Sequence, residues 1–182
     1  MLRPLTVLVL AALAVGCVSS RKPEKPVLLG ETNREAVEAV VPDWVAQVVA
    51  SEIDAAAAQA LVAVPPGAEV TILFGTWCGD SRREVSRFWR VLDEVGGEVG
   101  FPYRLIGVSR DKTGPAEFVA GQDLRYVPTF IVRRDGVEVG RIVESSPNGL
   151  ETDLLALLEG RAQGLLTLRE DLLPASEVPA TP

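Results

Sequence analysis

The sequence of 182 residues contains no histidine, two cysteines, one methionine and few aromatic residues. The absence of histidine excludes a Ser-His-Asp triad, a Cys-His nucleophile pair and every metal site built on imidazole ligands. The two cysteines, Cys17 and Cys78, are too few for a disulfide scaffold or a cysteine-rich zinc site. The sequence therefore predicts no metal and no cofactor.

Basic residues are also in the minority. The chain carries 18 Lys and Arg against 25 Asp and Glu, which gives a formal net charge of −7. Nucleic-acid binding needs a basic surface to meet the phosphates, and no basic run interleaved with aromatic residues is present. We therefore expect no nucleic-acid partner. The apolar fraction of 47% is sufficient for the core of one ordinary domain with appendages.

The N-terminus has the three parts of a signal peptide. Arg3 supplies a positive charge, Leu5 to Val15 is almost wholly apolar, and small residues lead to Cys17. This apolar span is too short to cross a bilayer comfortably as a helix. The segment from Ala14 to Cys17 resembles the lipobox of bacterial lipoproteins, although alanine is less usual than leucine at its first position.

The lipobox resemblance implies that residues 1–16 are removed and that Cys17 becomes a lipidated N-terminus. Several acyl chains together hold a folded domain on a membrane far longer than one chain does. By this resemblance, an aspartate directly after the lipidated cysteine would oppose sorting to the outer membrane. This chain has Val18 at that position. The expected location is therefore the bacterial cell envelope, with a lipid anchor in the outer membrane and the protein facing the periplasm. A plain secretory signal, with Cys17 after the cleavage point by chance, is the alternative.

The remaining chain divides into a tether, a helical extension, one α/β domain and a C-terminal segment. Residues 17–30 contain two prolines and mixed charge, which indicate a lipidated tether. Residues 31–63 read as a set of short helices, and residues 64–160 form the main domain. Residues 161–182 predict one more helix, over Leu165 to Leu173, and a disordered tail.

Within the main domain the predicted order is strand, helix, strand, helix, hairpin, helix. The apolar run from Val70 to Phe74 predicts a buried strand, and the amphipathic segment from Cys78 to Val95 predicts a long helix. Asp135-Gly136 between two apolar runs predicts a hairpin. A sheet that contains both a crossover helix and a hairpin must be mixed. The predicted fold class is therefore α/β, a mixed β-sheet flanked by helices on both faces.

Two motifs in this order resemble the thioredoxin superfamily. The first is the segment from Trp77 to Ser81 (WCGDS), which lies between the predicted strand and the long helix. The second is Val127-Pro128-Thr129, which opens the predicted hairpin. The resemblance covers about residues 64–160 and implies a thioredoxin-like fold.

The resemblance also implies roles for individual residues. Cys78 is the cysteine that attacks disulfides, and Ser81 stands where a second cysteine would resolve the mixed disulfide. Pro128 is the cis-proline that lies against the reactive sulfur. The residues expected to support this site are Trp77, Gly79, Asp80, Arg82 and Thr129.

The predicted position of Cys78 accounts for its chemistry. The start of a helix presents unpaired N–H groups and the positive end of the helix dipole, and both stabilise a thiolate. Arg82 adds to this effect, and Asp80 opposes it. Ser81 can donate its O–H to the sulfur. These residues together predict an activated thiol.

Ser81 also limits the reaction, because it cannot form a disulfide with Cys78. Cys78 therefore stays bound to its substrate until another thiol releases it. Ile72 stands where thioredoxins carry a buried acidic residue, which argues against ordinary reductase activity. The expected function is monothiol thiol–disulfide exchange, either reshuffling or release of mixed disulfides, with protein thiols or disulfides, or a small thiol, as partners. The alternatives are a non-catalytic binding module on a thioredoxin fold and a structural lipoprotein.

Overall fold

The computed structural model describes residues 24–173. The predicted signal peptide, the lipidation site Cys17 and the predicted disordered tail from Pro174 onward lie outside these residues. The strands of the described chain are β1 Gly30–Thr32, β2 Ala68–Phe74, β3 Tyr103–Gly107, β4 Thr129–Arg134, β5 Val137–Val143 and β6 Gly164–Leu166. The helices are α1 Arg34–Val40, α2 Asp43–Ala50, α3 Ala55–Ala60, α4 Gly79–Glu94, α5 Ala116–Val119 and α6 Leu150–Leu158, with 3-10 turns at Leu61–Ala63 and Glu170–Leu172.

The strands form one mixed sheet in the order β1-β3-β2-β4-β5-β6. β2 and β3 are parallel because α4 crosses between them, whereas β4 and β5 are antiparallel because the turn at Asp135-Gly136 joins them directly. β1 is antiparallel to β3, and β6 is parallel to β5. The predicted fold class, an α/β fold with a mixed sheet, is confirmed, and the arrangement is consistent with a thioredoxin-like fold.

Helices cover both faces of the sheet, because successive side chains of each strand point to opposite sides. In β2, Ile72 and Phe74 face the larger core, which also contains side chains of α1 to α4 and α6. Leu73 faces a smaller core on the other side, together with Val119 of α5. The larger core includes Trp44, whose ring centroid lies 5.9 Å from that of Phe74.

The N-terminal helices are part of this larger core. The helices predicted over residues 31–63 are present as α1, α2 and α3, but the first begins only at Arg34, since Gly30–Thr32 pairs with β3. Trp44 and Val48 of α2 are buried against the rest of the core. In the described chain no single helix is long and apolar enough to span a membrane. The pair formed by α2 and the segment Ala55–Ala63, which meet at a bend of 102°, reaches that length and apolar character only when the two are taken together.

The prediction of a helix over Leu165 to Leu173 is wrong. Gly164–Leu166 is instead strand β6, which pairs with β5, and Glu170–Leu172 is a 3-10 turn. The open edge of β5 offers unpaired backbone groups to any neighbouring segment. Gly140 in β5 permits the close approach, because a Cβ there would lie 2.6 Å from the carbonyl oxygen of Gly164. The hydrogen bonds gained by pairing with this edge outweigh the weak local preference of the segment for a helix.

Candidate thiol site

Cys78 lies where β2 ends and α4 begins. It is the N-cap residue of α4, with an extended backbone (φ −89°, ψ 133°), and its carbonyl accepts the hydrogen bond of Arg82 N at 3.1 Å. Its own N–H donates to the carbonyl of Gly75 at 3.0 Å, which closes the loop before the helix. The thiol is free and half-buried. The predicted placement of Cys78 at a helix start is confirmed.

The fold brings the second predicted motif to the same place. The peptide bond between Val127 and Pro128 is cis. The Cys78 thiol donates a hydrogen bond to the Val127 carbonyl oxygen at 3.3 Å. The buried Thr129 hydroxyl donates to the carbonyl of Tyr126 at 2.7 Å, which ties the two ends of this loop together. The predicted contact between the Cys78 sulfur and the cis-proline loop is therefore present.

Ser81 has a different partner from the one expected. Its side chain is fully buried, and its Oγ accepts a hydrogen bond from the backbone N–H of Gly75 at 3.1 Å. The described residues show no hydrogen bond between Ser81 and the Cys78 sulfur. Because Ser81 faces the loop that precedes the helix, its observed contact is structural and holds Gly75 against α4.

Trp77 covers this loop from the other side. Its Nε1 donates to the Val108 carbonyl at 3.2 Å, and the Arg110 guanidinium lies over its ring at 5.6 Å from the centroid. The ring packs so closely on Gly75 that a Cβ at that position would lie 2.5 Å from Trp77 Cε2. Gly79, by contrast, has no heavy atom within 4 Å of such a Cβ. Glycine is therefore required at position 75 and not at position 79.

The Gly75→Ala variant is expected to lose about 1–3 kcal/mol of unfolding free energy, because the added methyl overpacks the Trp77 ring. Urea denaturation monitored by tryptophan fluorescence measures this loss. Gly79→Ala is the matched control and should change stability by less than about 1 kcal/mol, since alanine is tolerated in a helix and meets open space. Equal stability of the two variants would contradict the packing described for Trp77.

The charged residues near Cys78 are paired with one another. Arg82, predicted to stabilise the thiolate, forms an ion pair with Asp43 of α2 at 2.9 Å. Asp80, predicted to oppose it, is paired with Arg83 at 2.7 Å, and Arg83 also contacts Glu84 at 2.8 Å. Burial alone lowers the pKa of Arg83, but its hydrogen bonds to Glu84 and Asp80 raise that pKa above its ordinary value. Both predicted electrostatic effects on the sulfur are thus partly neutralised.

The position in β2 at which a thioredoxin would bury an acidic residue holds the fully buried Ile72, and the carboxylate of this strand, Glu69, is exposed. The buried acidic side chains of α6 belong to other networks. Glu151 pairs with Arg87, and Asp153 accepts hydrogen bonds from Ser146 and the Asn148 backbone. Among residues 24–173, no three His, Cys, Asp or Glu side chains are grouped so as to hold a metal ion.

Two apolar side chains that sequence reasoning missed pack against the same core as Cys78. Phe118 and Leu124 are partly buried and, with Trp77 and Cys78, pack against the smaller core. They come from α5 and from the segment that follows it, which carry no recognisable motif. That they share this core with Cys78 depends on how the chain folds over the sheet, so no local signal could have identified them.

Comparisons with known proteins identify no function. No family model matches the chain, and no curated protein matches it. A Pseudomonas aeruginosa protein of unknown function has a similar structure, at 15% identity and a TM-score of 0.48, with 71% of this chain and 88% of that chain covered. An HIV epitope-scaffold protein is similar at 15% identity and a TM-score of 0.41, with 71% of this chain and 79% of that chain covered. Likenesses this distant carry no argument about function.

Proposed function

We propose that this protein is a lipid-anchored envelope protein of the thioredoxin-like superfamily that performs monothiol thiol–disulfide exchange through Cys78. The observation that carries the proposal is the 3.3 Å contact between the Cys78 sulfur and the Val127 carbonyl beside the cis-peptide bond to Pro128. A half-buried, free thiol at the N-terminus of a long helix, next to an irregular backbone segment, suits attack on the disulfide of an extended peptide.

The reaction is an exchange in two steps. The Cys78 thiolate attacks one sulfur of a substrate disulfide, a mixed disulfide forms, and the other substrate sulfur leaves as a thiolate that takes a proton from water. A second thiol, from a protein or a small molecule, then attacks the mixed disulfide. That step makes a new disulfide and restores the Cys78 thiolate. No net oxidation occurs, so the protein needs no electron donor of its own.

The test is adduct formation by the mature chain. After incubation with glutathione disulfide at neutral pH, intact-mass measurement should show one added glutathionyl group, which a reducing agent removes. A parallel sample that is denatured before incubation shows whether the thiol is chemically intact. A native chain that stays unmodified while the denatured chain reacts would contradict the proposal.

The second candidate is a non-catalytic binding module on the same fold. Two observations favour it, since Ser81 is buried against the Gly75 backbone and Ile72 replaces an acidic residue in the strand. In that case the thiol is dispensable, while the domain surface is not. A purely structural lipoprotein rests on the predicted anchor alone and accounts for neither motif.

A further inference from the structure

Residues 24–29, called the strap below, lie against the loop that carries Cys78. The fully buried Thr76 anchors them, because its hydroxyl donates to the Pro26 carbonyl at 2.6 Å and accepts from the Leu28 N–H at 3.2 Å. A segment expected to be part of a free tether is therefore held two residues before the reactive cysteine. The prediction of a tether over this stretch is corrected accordingly, since backbone groups of the strap find partners on the domain.

Arg110 holds the other end of the strap. Its guanidinium pairs with Glu24 at 3.1 Å and donates to the Lys25 carbonyl at 2.8 Å. The same guanidinium lies over the ring of Trp77. The start of the described chain is thus joined through one side chain to the aromatic residue next to Cys78.

A glycine at the end of β3 makes room for this path. A Cβ on Gly107 would lie 2.4 Å from the Leu28 carbonyl oxygen, so any larger residue would displace the strap. Gly107 also pairs with Gly30, where the chain leaves the strap and enters β1. The strap therefore runs over the carboxyl ends of β2 and β3, the end of the sheet at which Cys78 lies.

The opposite end of the sheet is far from the strap. β4 runs away from the site and β5 returns to it, so Val137, the first residue of β5, marks the far end. β5 has seven residues, which at about 3.3 Å per residue separate its two ends by roughly 20 Å. The molecule thus has a site end, which the strap touches, and a far end, which it does not.

We infer that the strap keeps the site end next to the membrane, so that Cys78 acts on disulfides of molecules held at that same surface. This inference rests on the proposed function and on lipidation of Cys17. Cys17 and Glu24 are 7 residue steps apart (24 − 17), which span at most about 25 Å. Because Glu24 is joined to Trp77 through Arg110, the thiol lies no farther from the bilayer surface than this reach plus the distance from Glu24 to the sulfur, however the domain rotates. The far end, roughly 20 Å away along β5, can lie that much farther from the surface.

The placement is tested without reference to activity. The lipidated full-length protein carrying Cys78→Ser receives a single donor dye, either at Thr113→Cys on the loop after β3 or at Val137→Cys at the far end; both positions are exposed. Energy transfer is measured to acceptor-labelled headgroups in phosphatidylethanolamine–phosphatidylglycerol vesicles. Transfer should be higher from position 113. Equal transfer, or higher transfer from position 137, would overturn the inference.

Two variants show whether the strap causes the difference. Thr76→Val removes both hydrogen bonds to the strap, and a flexible insertion of twenty Gly and Ser residues between Pro23 and Glu24 leaves the strap intact but lengthens the tether. Both should lower the transfer from position 113 toward that from position 137. The insertion lies outside the described domain, so it keeps the test valid if Thr76→Val fails to fold. An unchanged difference in the insertion variant would overturn the inference.

The substrate class is tested with the wild-type thiol. A peptide disulfide attached to lipid in the same vesicles should form mixed disulfides faster than the same peptide in solution, and the insertion should reduce this advantage because effective concentration falls with tether length. If only the dissolved peptide reacts, the inference fails and the proposed function stands. If neither peptide reacts, both the proposed function and the proposed substrate class fail. The energy-transfer result then still decides whether the site end lies next to the membrane.

Discussion

Replacement of Cys78 by alanine is expected to abolish every mixed-disulfide adduct that the wild-type protein forms in intact cells. Cys78 is the free cysteine of the described chain, and the proposed lipidation removes Cys17 from thiol chemistry. Tagged protein is recovered after acid quenching, separated without reductant, and its partners are identified by mass. Wild-type adducts should be persistent, since Ser81 has no thiol with which to release them.

Changing Ser81 tests this persistence directly. Ser81→Cys places a thiol in the same chain as the mixed disulfide, and an intramolecular attack of this kind should shorten adduct lifetime by more than about tenfold. Ser81→Ala is the matched control, because it also loses the hydrogen bond from Gly75 N but gains no thiol. Its adducts should persist as in the wild type. Rapid loss of adducts in Ser81→Ala would show that Ser81 acts through the structure of the loop.

The same experiment separates the two candidate functions. If Cys78 only fills space in a binding module, wild-type cells yield no adducts. A Cys78→Ala strain then behaves as wild type, although deletion of the domain does not. Persistent adducts that disappear with Cys78→Ala would exclude that reading and establish a reactive thiol.

Replacement of Glu151 by alanine is expected to cost about 3 kcal/mol of unfolding free energy, the low end of the range for removing one partner of a buried ion pair, because the Arg87 side chain left behind is 30% exposed. Glu151 is fully buried in α6 and accepts two hydrogen bonds from the Arg87 guanidinium, each at 2.9 Å. It also accepts the backbone N–H of Asp54, which caps α3. One carboxylate therefore joins α6 to the helix that carries Cys78 and to the N-terminal helices.

Urea denaturation of the mature chain measures this loss, and Glu159→Ala is the control. Glu159 pairs with Arg161 at the surface, where their side chains are 34% and 57% exposed, so its removal should cost at most about 1 kcal/mol. Replacing both Arg87 and Glu151 by apolar residues should recover much of the loss, because no unpaired charge is then buried. Equal stability of Glu151→Ala and Glu159→Ala would contradict the role assigned to Glu151.

The sequence by itself determined the elements whose signals are local. The amphipathic pattern after Cys78 predicts α4 because side-chain period depends only on neighbouring residues. Asp135-Gly136 predicts the hairpin because both residues adopt positive φ, as such a turn requires. The order of these elements was sufficient for the α/β class, and the two motifs were sufficient to place Cys78 against the loop of Pro128.

Only the tertiary structure decided which distant groups become partners. Thr76 holds the strap through residues 48 and 50 positions away, and Arg82 turns to Asp43 across 39 positions. Ser81 is committed to Gly75, and Gly164–Leu166 becomes an edge strand where a helix was predicted. Hydrogen bonds and ion pairs of this kind depend on groups that folding brings together, whereas periodicity and turn chemistry act within a few residues of the chain. The position of Cys78 at the helix start could therefore be found from the sequence, but its surroundings, and the strap that joins it to the predicted anchor, could not.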